Sequence, residues 1–289
     1  MGRDMKIIYN EDKKIRLKEE HDFSWLKKYG KVFKVFDEQD SGNICFGVEK
    51  DGIKRFIKYA GAKTIEYSGD PLDAVRRLIN ATTNYKDLKH PHLIQFTESY
   101  EISSGYATVF DWFNGECLHS HWLFTPEEKY TNPKSPNYRF NNLSIEKRLS
   151  VFEKVLNFHK HVEEKGYVAI DFYDGSILYD FISDEMKICD IDFYAKRPYI
   201  NSTGRMWGSN RFMSPEEFEI GAVIDERTNV FNMGAIAFNM FGGTLDRSFE
   251  KWIAGKPLYQ IALKAVSKKR EERYNSVTEL YNEWISINE

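Results

Sequence analysis

The chain has 289 residues, of which 42% are hydrophobic, 15% aromatic and 29% charged, with 41 basic against 44 acidic side chains. That composition suits a globular protein with ample material for a core, and the near-balanced charge excludes the basic footprint expected of a partner for nucleic acid or an anionic membrane surface. No apolar run approaches the ~20 residues that span a bilayer, and Met1 to Lys6 carries neither the apolar core of a signal peptide nor a myristoylation signal, so the expected location is cytoplasmic.

In chain order, residues 1–30 are charged and broken and read as a peripheral segment. Strand-like runs follow at Val32 to Phe36, Ile44 to Glu49 and Ile53 to Tyr59, the last two joined by the turn Lys50-Asp51-Gly52 as a hairpin. Pro71 opens a helix whose Leu72, Val75, Leu78 and Ile79 keep helical spacing, and His90-Pro91 ends it. Strands are expected again at Leu93 to Tyr100 and Tyr106 to Trp112. Thr125 to Asn142, with three prolines, reads as a surface loop. Ser144 caps a long helix that ends at Gly166. Short strands fall near Ile177-Leu178 and Met186 to Cys189, and a Gly/Ser/Arg-rich loop follows. Asn229 to Phe241 is apolar nearly all round, as in a helix buried on every side. Helices near 257–266 and 276–287 close the chain. A β-rich part up to about 113 followed by a larger helical part, with a hinge near 111–115, is the coarse architecture.

The three cysteines, Cys45, Cys117 and Cys189, are far apart with no CxxC pair, and read as reduced structural thiols. The pairs His119/His121 and His159/His161 invite a metal guess. Residues two apart on a helix do not share a face, however, so solvated or packed histidines are the simpler reading.

Three charged residues interrupt apolar runs: Lys58 after Phe56-Ile57, Asp171 after Val168-Ala169-Ile170, and Asp190 after Ile188-Cys189. A charge at the end of a half-buried strand is costly unless it is paired or holds a ligand. Any one alone reads equally well as a surface position on a strand edge. Together and in this order, they resemble the protein-kinase family, and further motifs carry the likeness over almost the whole chain. Phe56-Ile57-Lys58 resembles the VAIK strand, and Lys89-His90-Pro91-His92-Leu93-Ile94 the HPNIV segment. Val109 to Gly115 resembles the hinge. Gly208-Ser209-Asn210-Arg211-Phe212-Met213-Ser214-Pro215-Glu216 aligns without gaps to G-T-x-x-Y-x-A-P-E, and Asn229 to Gly234 resembles DVWSLG.

The resemblance implies an α+β, bilobal protein-kinase-like fold over residues 31–289, with a small β-rich N-lobe (31–113) and a larger α-helical C-lobe (114–289) holding a nucleotide between them. It implies ATP and magnesium as cofactors and a protein or peptide substrate as partner. By the same resemblance Lys58 grips the α- and β-phosphates, and Asp171 accepts or orients the proton of the substrate hydroxyl. Gly42, Ile44, the gatekeeper Phe110, and Asp111 and Phe113 of the hinge bind the nucleotide. Asp190 and Ser176 hold metal. Arg273 pairs with Glu216 in a structural, bidentate contact.

Departures from the family pattern are as informative. Of the Gly-rich loop only Gly42 remains; Asp37 and Gln39 stand where glycines admit the backbone to phosphates. Ala81 replaces the first-helix glutamate, with Glu66 and Asp73 as out-of-register candidates to substitute. Ala169 and Ile170 replace the His-Arg before Asp171, which removes the usual anchor for a phosphorylated activation loop. Tyr173 and Ser176 replace a lysine and an asparagine. Asp190-Ile191-Asp192 replaces Asp-Phe-Gly, so Asp192 is expected to supply a second metal ligand. Three functional readings stay open: a divergent serine/threonine protein kinase, a pseudokinase acting as a nucleotide-binding or scaffold module, and a small-molecule kinase of the aminoglycoside or choline type.

Overall fold

A computed structural model of the chain describes residues 5–10, 12–102, 104–120 and 122–287. His121, half of one histidine pair above, lies outside the described residues. The chain divides into two compact units, Met1–Lys89 with Ile94–Phe113, and His90–Leu93 with Asn114–Glu289.

In the first unit β1 (Lys6–Asn10) and β2 (Lys13–Leu17) form a hairpin. They precede β3 (Lys31–Phe36), β4 (Asn43–Lys50), β5 (Ile53–Ala60), helix α1 (Pro71–Asp87), β6 (Phe96–Ile102) and β7 (Gly105–Asp111). The last five strands build an antiparallel sheet in the order β3-β4-β5-β7-β6. Asp51 and Gly52, at φ 53° and 78°, close the β4–β5 hairpin as a two-residue turn whose twist matches the strands. α1 begins as the sequence implies: Pro71 takes the first helical position, where its missing N–H is no loss, and the Asp70 carboxylate accepts from Leu72 N at 2.9 Å.

The segment before residue 31, expected to be peripheral, supplies Ile15, Leu17, Phe23 and Leu26 to the same fully buried cluster as Val32, Ile44, Phe46, Ile57 and Tyr59. Charges on the solvent side of the hairpin mask that contribution in the sequence, because alternate residues of a short strand point inward.

The second unit carries β8 (Glu116–Cys117), α2 (Pro126–Thr131), α3 (Pro136–Asn141), α4 (Ile145–Glu164), β9 (Tyr167–Val168), β10 (Ile177–Asp180), β11 (Glu185–Ile188), β12 (Ala195–Lys196), β13 (Tyr199–Ile200) and β14 (Val223–Ile224). The helices α5 (Glu226–Phe241), α6 (Lys256–Ala265) and α7 (Val277–Ile285) complete it. α5 is buried at every position from Thr228 to Phe241, which explains its lack of a polar face. The expected loop at 125–142 is instead the helix pair α2 and α3. Pro126 and Pro136 are helix starters there, and Thr125 and Glu128 form a reciprocal capping box. The fold is α+β, with a β-rich N-terminal part and a helical C-terminal part, as expected. Among the described residues no helix is long and apolar enough to cross a membrane.

Candidate functional site

In the first unit Lys58 sits in β5 at 8% exposure, opposite Cys45 on β4 and Thr108 on β7. Its neighbours Ile57 and Tyr59 are fully buried, so the backbone around the ammonium is fixed by the core. Ile44 belongs to that same core. Phe110 is fully buried among the rings of Phe56, Tyr85 and Phe96. Asp111 ends β7; its N–H donates to Gln95 O at 2.9 Å and its carboxylate pairs with Arg55 at 3.2 Å. Phe113, two residues on, is half-buried.

The loop from Asp37 to Gly42 is held by neighbours within its own unit. Asp37 is 7% exposed, accepts from Arg16 N at 2.8 Å, and takes Nε and a terminal nitrogen of the same guanidinium at 3.1 and 2.6 Å. The acid that seemed set against a phosphate is therefore neutralised by the β1–β2 hairpin. By accepting these bonds Asp37, followed by Glu38, holds the Arg16 guanidinium above its ordinary pKa. Gly42 has φ 81°, and a Cβ there would lie 2.7 Å from the Tyr67 ring, so the glycine admits a side chain of its own unit.

In the second unit Asp171 and Asp190 share an unusual backbone. Their φ values are 63° and 55°, in the left-handed region, and neither closes a strand hairpin as Asp51 and Asp184 do. Such conformations carry a small cost for non-glycine residues and persist where the surroundings over-determine them. For Asp171 those surroundings come from α5. Asn229 Oδ1 accepts from Ala169 N at 2.8 Å, and Asn232 Nδ2 donates to Phe172 O and Phe212 O at 3.1 and 3.3 Å. Asn232 thereby ties the Asp171 loop to the Gly208–Glu216 segment. Gly208, at φ 141°, packs closely: a Cβ there would stand 3.8 Å from Asp171 Cα and 3.2 Å from Met213.

Behind Asp171, Phe172 lies on the His159 ring at 4.2 Å between centroids. His159 Nδ1 donates to Val155 O and Nε2 accepts from the Tyr194 hydroxyl, each at 2.8 Å. Complete burial pulls this imidazole down to about 3. It is a packed core histidine, as the spacing argument expected. Tyr173 folds its ring over Gly175, where a Cβ would meet the ring at 2.2 Å. Burial, with Asp190, Cys117 and Asp171 around it, pushes the phenol well above its ordinary pKa, so it keeps its proton. Ser176 is fully buried and its Oγ finds no hydrogen-bond partner among the described residues. Asp190 is exposed and Asp192 half-buried on the turn that follows. Among the described residues no group of three or more His, Cys, Asp or Glu side chains is arranged to hold a metal ion by itself.

The largest feature missed at the sequence level is a buried charge cluster on Asp174. This carboxylate is fully buried, accepts from Lys129 Nζ at 2.5 Å, and takes both terminal nitrogens of Arg211 at 3.0 and 2.9 Å. Burial alone would push the Asp174 carboxyl up, but the two cations hold it below its usual value. Two signals were present in the sequence: a second acid three residues after Asp171, and an arginine inside the Gly208–Glu216 motif. The expected pair at that motif's end forms as well, with Arg273 donating to both oxygens of Glu216 at 2.7 and 3.0 Å.

No family model matches the chain. It is 23% identical over 73% of its length to the serine/threonine-protein kinase ste20 of Aspergillus oryzae, and 24% identical over 68% to the protein of the same name from Emericella nidulans. It is also 24% identical over 68% to the serine/threonine-protein kinase pakA of Talaromyces marneffei. The matches span 22%, 21% and 28% of the lengths of those three relatives.

Proposed function

We propose that this chain, a distant relative of the serine/threonine protein kinases, is a cytoplasmic phosphotransferase that moves the γ-phosphate of ATP to a protein hydroxyl. The observation that carries the reading is the pair of left-handed aspartates, Asp171 and Asp190, the first on a loop pinned on both sides by buried asparagines of α5. Unlike Asp51 and Asp184, these two acids close no strand hairpin, so turn formation does not account for their backbone state.

Asp171 is proposed to orient the acceptor hydroxyl and take its proton. Lys58 is proposed as the phosphate ligand of the first unit, with Gly42, Ile44, Phe110, Asp111 and Phe113 as nucleotide-binding residues. Asp190, Asp192 and Ser176 would hold magnesium. Ser176 fits as a ligand because its buried Oγ is otherwise unsatisfied, and a buried hydroxyl without a partner is unfavourable. Bound there, the ion would neutralise charge on the transferring phosphoryl group. Tyr173 replaces a cationic side chain with a neutral donor, so turnover slower than the 1–100 s⁻¹ typical of protein kinases is expected.

A second reading, a nucleotide-binding module without turnover, is favoured by the loop at 37–42, where Tyr67 rather than open space faces Gly42. Calorimetric titration of ATP into the chain, with and without magnesium, tests both. Magnesium-dependent binding that is lost in Asp190→Asn, together with phosphoacceptor labelling that is lost in Asp171→Asn, supports the transferase. Binding without labelling moves the assignment to the module, and absence of binding removes both.

A further inference from the structure

The segment Gly208–Glu216 is the stretch on which, in the reading above, a peptide acceptor would rest. Besides the Asn232 bridge, two contacts of different kinds fasten it to the Asp171 loop. The first is apolar. Ile170, at the position where the resemblance calls for an arginine, is buried in one cluster with Met206, Met213, Val168 and Ile224. The second is ionic: Arg211, from the middle of the segment, forks onto both oxygens of Asp174, which Lys129 of α2 also grips.

The geometry of the fork is specific. A planar guanidinium meeting a carboxylate through two parallel bonds fixes orientation as well as distance. Arg211 Nε donates in addition to Ser209 Oγ at 3.2 Å, and Phe212 N donates to Ser209 O at 2.9 Å, so the local turn is built around the arginine. Asp174 is 0% exposed and the Arg211 side chain 18%, so solvent screens the pair little. Removing the arginine leaves the carboxylate with Lys129 and with His119 at 4.0 Å, and frees the centre of the segment.

We propose that Arg211 is a positioning residue which, through Asp174 and Lys129, holds the acceptor platform permanently in register with Asp171, so that the site is assembled without activation-segment phosphorylation. The proposal rests on the kinase reading for its functional meaning, while its structural core stands apart from it. The anchor that a phosphate and an arginine would create on demand is replaced here by a carboxylate and an arginine that are always charged.

The test uses the full chain and two variants, Arg211→Ala and Arg211→Lys. Amide hydrogen exchange is expected to rise at least about tenfold across 205–216 in Arg211→Ala while α5 keeps its protection. Arg211→Lys retains charge without the fork and is expected to fall between that variant and the wild type. If Arg211→Ala unfolds the chain throughout, Arg211→Lys decides. Wild-type protection of 205–216 in the deciding variant overturns the proposal, whether or not the protein transfers phosphate. With a peptide acceptor, Arg211→Lys should raise the acceptor KM about tenfold and leave the calorimetric ATP affinity unchanged; a merely structural defect would weaken both. Phosphatase treatment of the wild type should leave its rate unchanged, and a loss of rate would also overturn the proposal. A wild type without transfer activity removes the kinase reading alone, and the exchange result still judges the anchor.

Discussion

Arg273 and Glu216, 57 residues apart, meet through two hydrogen bonds of 2.7 and 3.0 Å in a fully enclosed site. Thr228 adds a donor to the same carboxylate at 2.9 Å, and Arg270 approaches it at 3.2 Å. Arg273→Met is therefore expected to destabilise the chain by about 3 kcal/mol, the low end for breaking a buried pair, because Arg270 remains beside the carboxylate. The double variant Arg273→Met/Glu216→Gln should recover part of the loss, since no unpaired charge is left inside. Urea unfolding of the two variants measures this, and a double variant less stable than the single one would contradict it.

Asn229 holds the start of the Asp171 loop from α5. Asn229→Leu removes the acceptor of Ala169 N and leaves that buried amide unsatisfied, an effect of about 1–3 kcal/mol. Asn229→Asp keeps an acceptor at the same place and should stay closer to wild type. Thermal unfolding ranks the two variants; equal losses would show that the contact with Ala169 N is not what stabilises the loop.

Gly175 accommodates the folded-back ring of Tyr173. Gly175→Ala should force the ring out and destabilise by about 1–3 kcal/mol, as overpacking does. In a Tyr173→Ala background the same substitution should be nearly neutral. A double-mutant cycle read by denaturant unfolding tests the coupling, which should be of order 1 kcal/mol or more.

His159 gives the stability a defined pH dependence. Its folded pKa, about 3, lies below the ordinary histidine value of 6.5 because burial disfavours the charged ring. Between those values the unfolded state binds a proton that the folded state does not. Stability is therefore fully present above pH 6.5 and is lost as pH falls toward 3, at up to about 1.4 kcal/mol per pH unit for this residue. His90, pulled down to about 4 by burial and by the neighbouring His92 and His161, acts in the same direction. His159→Gln should remove from the pH slope of unfolding free energy about half a proton at pH 6.5, rising to close to one at pH 5, whatever it does to the absolute level.

Much of the frame was legible from the chain alone. Local chemistry carried it: Pro71 after Asp70 starts α1, Ser144 starts α4, Asp51-Gly52 turns the β4–β5 hairpin, and an apolar run without a polar face announces α5. The family resemblance of the ordered motif from Gly208 to Glu216, and of the segment around Arg273, implied the long-range Arg–Glu pair that forms. The helices α2 and α3 were misread because proline both breaks and starts helices; at α2 the capping box of Thr125 and Glu128 decides between the two.

What the tertiary structure alone decided is where charges find their partners. Nothing in the spacing of Arg16 and Asp37, or of Lys129, Asp174 and Arg211, says that they meet, since the segments between them are folded by unrelated local preferences. Their pairing follows from the packing of apolar clusters that carry the charged residues along, and a buried charge must then be satisfied by whatever ion the core has brought within reach. Sequence thus determined the elements and the identity of the acids, while three-dimensional packing determined which cations Asp37, Asp174 and Glu216 meet.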